Sequence, residues 1–291
     1  MSLGTSLQSE RAAGYLGTPP RFSVSEAEFT EVCALIKRLS GIALSDSKRE
    51  LVQGRLSRRI RELGLTSCAE YLDLLRRGDA DEQVAFCNSL TTNLTSFFRE
   101  AHHFKHLREQ VLAPLARLPC PGPRLRIWSA ACSTGEEPYS IAMTVAETMQ
   151  DWKFRDVRIL ATDIDSDVLQ RARGGIYRSA QVTNLSPRRL ATHFRCVDSD
   201  GYEVSPDLAG LISFRRLNLM EPFPMRGPID VIFCRNVVIY FDKETQRNLF
   251  ARIAELQRED AILFIGHSET LFRVSADYAL VGQTIYRRVG K

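Results

Sequence analysis

The stretch Arg124–Ser140, RLRIWSAACSTGEEPYS, limits the possible folds more than any other part of the chain. Leu125-Arg126-Ile127-Trp128 alternates in the manner of a β-strand. Only small residues follow, from Ser129 to Gly135, and then Glu136-Glu137-Pro138 opens a run with Ile141, Ala142, Val145 and Met149 at helical spacing. Proline and acids in a first turn are helix-start signals. Strand, tight loop and helix make the opening unit of an α/β sheet, and the loop lies at the C-terminal edge of the strands, where a ligand meets bare backbone. The loop is neither G-x-G-x-x-G nor a G-K-[ST] loop, so no phosphate cradle is expected. Two carboxylates at the helix start would also repel a pyrophosphate. They suit an ammonium group or sugar hydroxyls, or they merely complement the helix dipole.

Val157-Arg158-Ile159-Leu160-Ala161-Thr162 reads as the next strand and closes in Asp163-Ile164-Asp165. An acid at the end of the second strand of a nucleotide-binding α/β unit holds a ribose hydroxyl pair. Loop and acid together describe a cofactor with a ribose, an amino group and no essential phosphate. S-adenosylmethionine has those features.

Before this unit the periodicity is purely helical. Phe22–Ser40 predicts a helix capped by Ser25 with Glu28 three residues on, and Gly41 ends it. Asp46–Leu63 predicts a second, with Leu51, Val52, Leu56, Ile60 and Leu63 apolar and Lys48, Arg49, Arg55, Arg58, Arg59 and Arg61 basic. Ser67–Arg76 and Asp81–Leu90 predict two more. The basic helix is either a solvated face or a docking face for an acidic partner. It carries no interleaved aromatics to stack bases, and the net charge of +4 is too mild to indicate nucleic acid. The polar tail at 1–21 is expected to be disordered and has no signal-peptide core, and no apolar run reaches membrane-span length. Seven scattered cysteines without a C-x-x-C pair point to reduced thiols and no zinc site. Cys132 and Cys234 read as packing residues. Thr91–Phe104 joins the halves, and no third ligand accompanies His102 and His106, so no metal is expected.

After Asp163, Ser166–Arg173 predicts a helix, and residues 176–212 break the βα alternation. Short runs at His193–Cys196 and Tyr202–Val204 around Asp198-Ser199-Asp200-Gly201 predict a hairpin. Ile212–Leu217, Asp230–Cys234 and Ala261–Ile265 predict strands, Lys243–Gln257 a helix, and Thr284–Arg288 an edge strand.

Five motifs in order resemble the chemotaxis receptor methyltransferases: TTNLTSFFRE, WSAACSTGEEPYSIAM, ATDIDSDVL, the pair Asn218-Leu219, and IDVIFCRNVVIYFD. The resemblance implies an all-helical domain at 22–90, a linker at 91–104 that contributes to the cofactor site, and a Rossmann-like class I S-adenosylmethionine methyltransferase domain at 105–291. It also implies a small antiparallel insertion at about 176–212. The implied activity is transfer of a methyl group to glutamate side chains on cytoplasmic chemoreceptor helices, by a cytoplasmic monomer that meets the membrane only through its receptors. Asn93, Thr95 and Arg99 would reach over the cofactor, and Ala130 would lie in its loop. Asp163 and one of Glu136 and Glu137 would hold its ribose or amino group, with the other glutamate facing outward. Asn218 and Leu219 would meet the adenine, Arg235 and Asn236 would form the floor, and Tyr240 would stand near the methyl. Arg99 would clamp either the substrate carboxylate or that of the cofactor. Arg55, Arg58 and Arg59 would dock the receptor. The turn at Asp198–Tyr202 is shorter than the glycine-rich loop with which some relatives hold a receptor tether, so activity independent of a tether is expected. Rival expectations are a methyltransferase for another substrate and a catalytically silent cofactor-binding module.

Overall fold

The computed structural model describes residues 23–290, so the tail expected at 1–21 lies outside the described residues. Helix α1 (Glu26–Ser40) starts as its cap predicts: the Ser25 N–H donates to Glu28 Oε2 at 2.8 Å, and Ser25 Oγ accepts from the Glu28 N–H at 3.3 Å. Gly41 ends it in the left-handed region, at φ 77°. A 3-10 turn at Asp46–Lys48 leads into α2 (Arg49–Glu62), followed by α3 (Cys68–Arg76) and α4 (Ala80–Leu90). Val32, Ile36, Val52, Leu56, Ile60, Tyr71 and Phe86 are sealed between these helices. Each such side chain adds about 2 kcal/mol of hydrophobic stabilisation.

The bundle does not stand apart. Its apolar cluster runs on into Trp128, Leu217, Leu219, Ile232 and Phe250. The Ala43 N–H donates to the Tyr240 carbonyl at 2.7 Å, Asn218 Nδ2 donates to the Leu39 carbonyl at 2.7 Å, and Lys37 pairs with Asp242 at 2.8 Å.

Beyond the linker come α5 (Ala101–His106), a π-helical turn at Leu107–Leu112 and α6 (Ala113–Ala116). Then β1 (Leu125–Ala130), α7 (Glu136–Thr148), β2 (Val157–Asp163) and α8 (Ser166–Gly174) follow as predicted. The insertion holds β3 (Ile176–Arg178), α9 (Ser179–Val182), α10 (Pro187–His193), β4 (Phe194–Cys196), β5 (Gly201–Val204) and α11 (Pro206–Ala209). The hairpin is there, but it is part of a three-stranded antiparallel sheet in the order β3-β5-β4. The chain finishes with β6 (Ile212–Arg216), β7 (Ile229–Cys234), α12 (Lys243–Leu256), β8 (Gln257–Ile265), β9 (Tyr278–Gly282) and β10 (Ile285–Arg288).

The main sheet has the order β6-β2-β1-β7-β8-β10-β9. The first five strands are parallel, and β10 runs antiparallel to both its neighbours. The order reverses between β1 and β7, and in open α/β sheets a ligand crevice opens at such a switch point. One expectation is overturned: Ile285–Arg288 is not an edge strand. It inserts between β8 and β9 because Ile285 and Tyr286 are buried, while β9 exposes Leu280 and Val281 and takes the edge. No helix among the described residues is long and apolar enough to cross a membrane.

Candidate cofactor cleft

A cleft of about 480 Å³ opens where the C-terminal ends of β1, β2 and β7 meet the linker and the helical bundle. That volume lies in the range of small-molecule sites. Its wall begins with the loop after β1. Ala131 and Ser133 both sit in the left-handed region, at φ 62° and 50°. Gly135 follows at φ 99°, and a Cβ there would lie 2.7 Å from the Tyr177 hydroxyl, so no other residue fits. The Ser133 N–H donates to Asp163 Oδ2 at 2.8 Å, and the Asp165 N–H donates to Asp163 Oδ1 at 3.0 Å. Burial pushes the Asp163 carboxyl up to about 6, against the pull of these two N–H groups.

The linker is clamped along its length. Asn93 Nδ2 donates to Asp165 Oδ2 at 2.8 Å, and Ser133 Oγ donates to the Asn93 carbonyl at 2.9 Å. Phe97 is fully buried, edge-on to Tyr177 at 4.9 Å and Phe194 at 5.7 Å, which joins linker to insertion. Arg99 Nη1 donates to the Leu94 carbonyl at 2.8 Å. Behind Arg99, the buried Arg235 donates through Nη1 to Glu137 Oε2 at 2.9 Å and lies 3.3 Å from Glu100 Oε2.

The cleft gathers most of the predicted residues. Asn93, Thr95, Arg99 and Asp163 line it, as do Asn218 and Leu219. So do Arg235, Asn236, Tyr240 and, from α2, Arg55. Ala130 does not line it. It is the buried last residue of β1, and its neighbour Ala131 meets the cleft instead. The two glutamates depart from expectation, since neither lines the cleft and neither faces outward. Glu136 accepts from Thr134 Oγ1 at 2.6 Å and Gln181 Nε2 at 3.2 Å, which ties α7 to the insertion. Glu137 accepts from Ser129 Oγ at 2.7 Å and from Arg235, which ties it to a guanidinium that lines the cleft. Burial pushes both carboxyls up.

The three arginines expected on one docking face part company. Arg58 is exposed and, among the described residues, pairs with Glu62 alone, one turn along, at 3.0 Å. Arg55 donates to the carbonyls of Leu90 and Thr91 at 2.8 Å each, holding the start of the linker. Arg59 turns inward to Glu82, whose side chain is 7% exposed and also accepts from the Tyr71 hydroxyl at 2.6 Å. Arg59 is therefore a bundle residue.

Several residues of the site were not expected at the cleft from the sequence. Asp165 holds the linker. Glu269 accepts from the N–H groups of Asn236 at 3.0 Å and Val238 at 2.9 Å, shaping the turn after β7. Glu100 meets Arg235. Lys48 and Leu51 line the mouth. Lys48, Arg55 and Arg99 have no carboxylate within ion-pair distance among the described residues, and Asp163 is the one carboxylate in the lining. Burial pushes the thiols of Cys132 and Cys234 well above the ordinary range, as befits packing residues. Glu100, His102 and His103 bring possible ligand atoms within 4.8 Å of one another. A dication there would face the Arg235 guanidinium 3.3 Å from the same carboxylate, and their repulsion argues against a metal.

Residues 93–287 match the family described as CheR methyltransferase, SAM binding domain, and residues 27–91 match CheR methyltransferase, all-alpha domain. The chain is 44% identical over 275 residues to a chemotaxis protein methyltransferase of Escherichia coli K12, covering 91% of this chain and 92% of that one. It is 42% identical to the protein of the same name from Salmonella typhimurium, with 97% of each covered. It is 44% identical to chemotaxis protein methyltransferase 2 of Pseudomonas aeruginosa, covering 91% of this chain and 94% of that one. With both modules matched and the α/β cleft in place, the chain belongs to the CheR methyltransferase family and is an S-adenosylmethionine-dependent methyltransferase.

Proposed function

We propose that this enzyme methylates glutamate side chains on the cytoplasmic helices of chemoreceptors, giving γ-glutamyl methyl esters. The relatives' names point to chemotaxis, and the donor set of the cleft fits both cofactor and substrate. Asp163 ends β2 where a ribose diol would be held, and Arg99, one of whose nitrogens rests on the Leu94 carbonyl, has no carboxylate partner among the described residues and keeps donors to offer one. Leu219 and Ile164 offer apolar surface to an adenine, with Asn218 beside them. Asn93 and Thr95 close the linker side, and Arg235 with Asn236 forms the floor.

When bound, the cofactor supplies an electrophilic methyl group on a sulfonium. A glutamate carboxylate, with a reference pKa of about 4.3, is already ionised at neutral pH, so no general base is required. The protein's contribution is to position one carboxylate oxygen and to strip it of water. Arg99 and the half-buried Tyr240 stand at the cleft to do this. Glu137 acts indirectly, by fixing the Arg235 guanidinium.

The docking wall is a stripe of α2 and the turn before it: Lys48, Leu51, Arg55 and Arg58. Its three-four-three spacing is that of a helix seam, which suits an acidic partner helix lying along it. The same end of α2 faces Leu94 and Ile239, two exposed apolar residues on the cleft. The observation that carries the reading is charge: three cations without acid partners surround a cleft whose lining holds one carboxylate. The turn joining β4 to β5 spans only residues 197–200, which supports activity independent of a tether peptide. Micromolar affinity for a receptor's C-terminal pentapeptide would overturn that part.

The test is transfer of labelled methyl from S-adenosylmethionine to membranes bearing chemoreceptors, followed by mild alkali. Volatile methanol is the expected product. Label that survives base would mean methylation at nitrogen or sulfur and would sink the assignment.

A further inference from the structure

We propose that Glu100 is a positioning residue that latches the linker onto the floor of the cofactor cleft through Arg235. Three segments that are distant in sequence meet on its carboxylate. Oε2 lies 3.3 Å from Arg235 Nη2. Oε1 accepts from Asn236 Nδ2 at 3.3 Å and from the His267 N–H at 3.3 Å, and it lies 3.1 Å from His267 Nδ1. Linker, the turn after β7 and the turn after β8 are thereby pinned together at the C-terminal edge of the sheet. Arg235 Nη2 also donates to the carbonyl of Arg99, the residue just before Glu100. Side chain and main chain of one short segment thus close on one buried guanidinium, whose Nη1 binds Glu137.

The backbone agrees. Glu100 sits at φ 59° and Phe98 at φ 52°, a region that L-residues with a side chain avoid at a cost of about 1 kcal/mol each. Such conformations persist only where surrounding contacts over-determine them. Here those contacts are the Ser140 hydroxyl on the Phe98 N–H at 2.9 Å, the Arg235 contact and the carboxylate cluster. Burial would push the Glu100 carboxyl up, yet Arg235, His267 and Asn236 outweigh it and hold it at about 2. The carboxylate is therefore charged across the working pH range. Loss of its charge frees the end of the linker on which Asn93, Thr95 and Arg99 depend. The cofactor side of the cleft feels this first, because the docking stripe of α2 is held separately by the bundle.

The experiment compares Glu100→Gln and His267→Ala with the parent chain. Dissociation of S-adenosylhomocysteine is read by calorimetry, and the KM of receptor and of cofactor and the unliganded melting temperature are measured separately. Glu100→Gln is expected to weaken S-adenosylhomocysteine about tenfold or more, to raise the cofactor KM in step, and to raise the receptor KM by a clearly smaller factor, the share that passes through Arg99. The His267 side chain is exposed, so His267→Ala removes little buried contact, and it is expected to shift the cofactor terms the same way by a smaller factor. Unchanged cofactor affinity in both variants overturns the proposal. So does a collapse of melting temperature with both KM values damaged alike, which would mean a folding role. The proposal rests on the cofactor and not on the receptor substrate. If the parent chain binds cofactor but yields no base-labile ester, the substrate reading has failed and the latch is still judged by binding.

Discussion

At the scale of single residues, the chemistry turns on carboxylates whose surroundings differ. Asp163 is held at about 6 by burial, while Glu100 is held at about 2 by its cation and donors. This makes Asp163 a group that titrates near working pH, and its two consequences have opposite sign. Above pH 6 it is ionised and accepts hydroxyl hydrogen bonds well; below, it is protonated and accepts them poorly. Affinity for S-adenosylhomocysteine should therefore fall as pH drops through 6, by up to about tenfold per pH unit. Stability moves the other way for this group. Its folded pKa lies above the unfolded value, so the folded chain gains a proton, and stability, as pH falls from 6 toward 4. Calorimetric titration between pH 7.5 and 5 checks the first trend, and Asp163→Asn should flatten it. A pH-independent affinity in the parent chain would remove Asp163 from the ribose role. The roles of Glu136 and Glu137 were not legible in the sequence, because their partners Gln181 and Arg235 lie 45 and 98 residues away. Adjacent residues on a helix point about 100° apart. Spacing alone cannot say that both directions are already occupied by protein.

At the scale of elements, α2 shows how a basic helix divides its labour. Val52, Leu56 and Ile60 bury one face, Arg59 follows them inward to Glu82, and Arg58 is left on the outer stripe. Charge reversal separates the two arginines. Arg59→Glu sets a second carboxylate against Glu82 and should cost about 3 kcal/mol or more, a fall of about 6 °C or more in melting temperature. Arg58→Glu should leave melting within about 2 °C and raise the receptor KM about fivefold, an effect that shrinks at high salt. Receptor KM unmoved by Arg58→Glu would take the stripe out of docking. The elements that read well from sequence had local signals. The Ser25–Glu28 box begins α1, Gly41 ends it, and alternation marks β1 and β2. The elements that read poorly depend on distant partners. Ile285–Arg288 alternates like an edge strand, but nothing in YALVG at 278–282 says that this segment will cover it. The helix from Ala101 to Ala116 is interrupted by a π turn at Leu107–Leu112, which blurs a 3.6-residue period. The residues 197–200 announced the β4–β5 hairpin, while Ile176–Arg178 joins it by pairing across about 25 residues.

At the scale of the whole molecule, the helical bundle is a wall of the cofactor cleft and not an appended module. One apolar cluster runs through both, and the contact at Gly41 shows how closely they meet. Gly41 has φ 77°, and a Cβ there would lie 2.4 Å from Met220 Sδ. Met220 follows Asn218 and Leu219, which line the cleft, and its N–H donates to Asn218 Oδ1 at 3.0 Å. Gly41→Ala therefore carries two costs. The left-handed backbone costs about 1 kcal/mol wherever Met220 goes. Displacement of Met220 adds a smaller cost, because a thioether end yields easily, but it moves the Asn218 turn. These parts separate in a double-mutant cycle with Met220→Ala. Gly41→Ala should lower stability by about 1–2 kcal/mol in the parent and by only about 1 kcal/mol when Met220 is already alanine, a coupling of about 0.5 kcal/mol or more. Affinity for S-adenosylhomocysteine should follow: weakened by Gly41→Ala alone, and recovered in the double variant to the level of Met220→Ala. Strict additivity in both stability and affinity would mean that bundle and cleft are independent at this contact, and the bundle would then serve the reaction only by carrying the docking stripe.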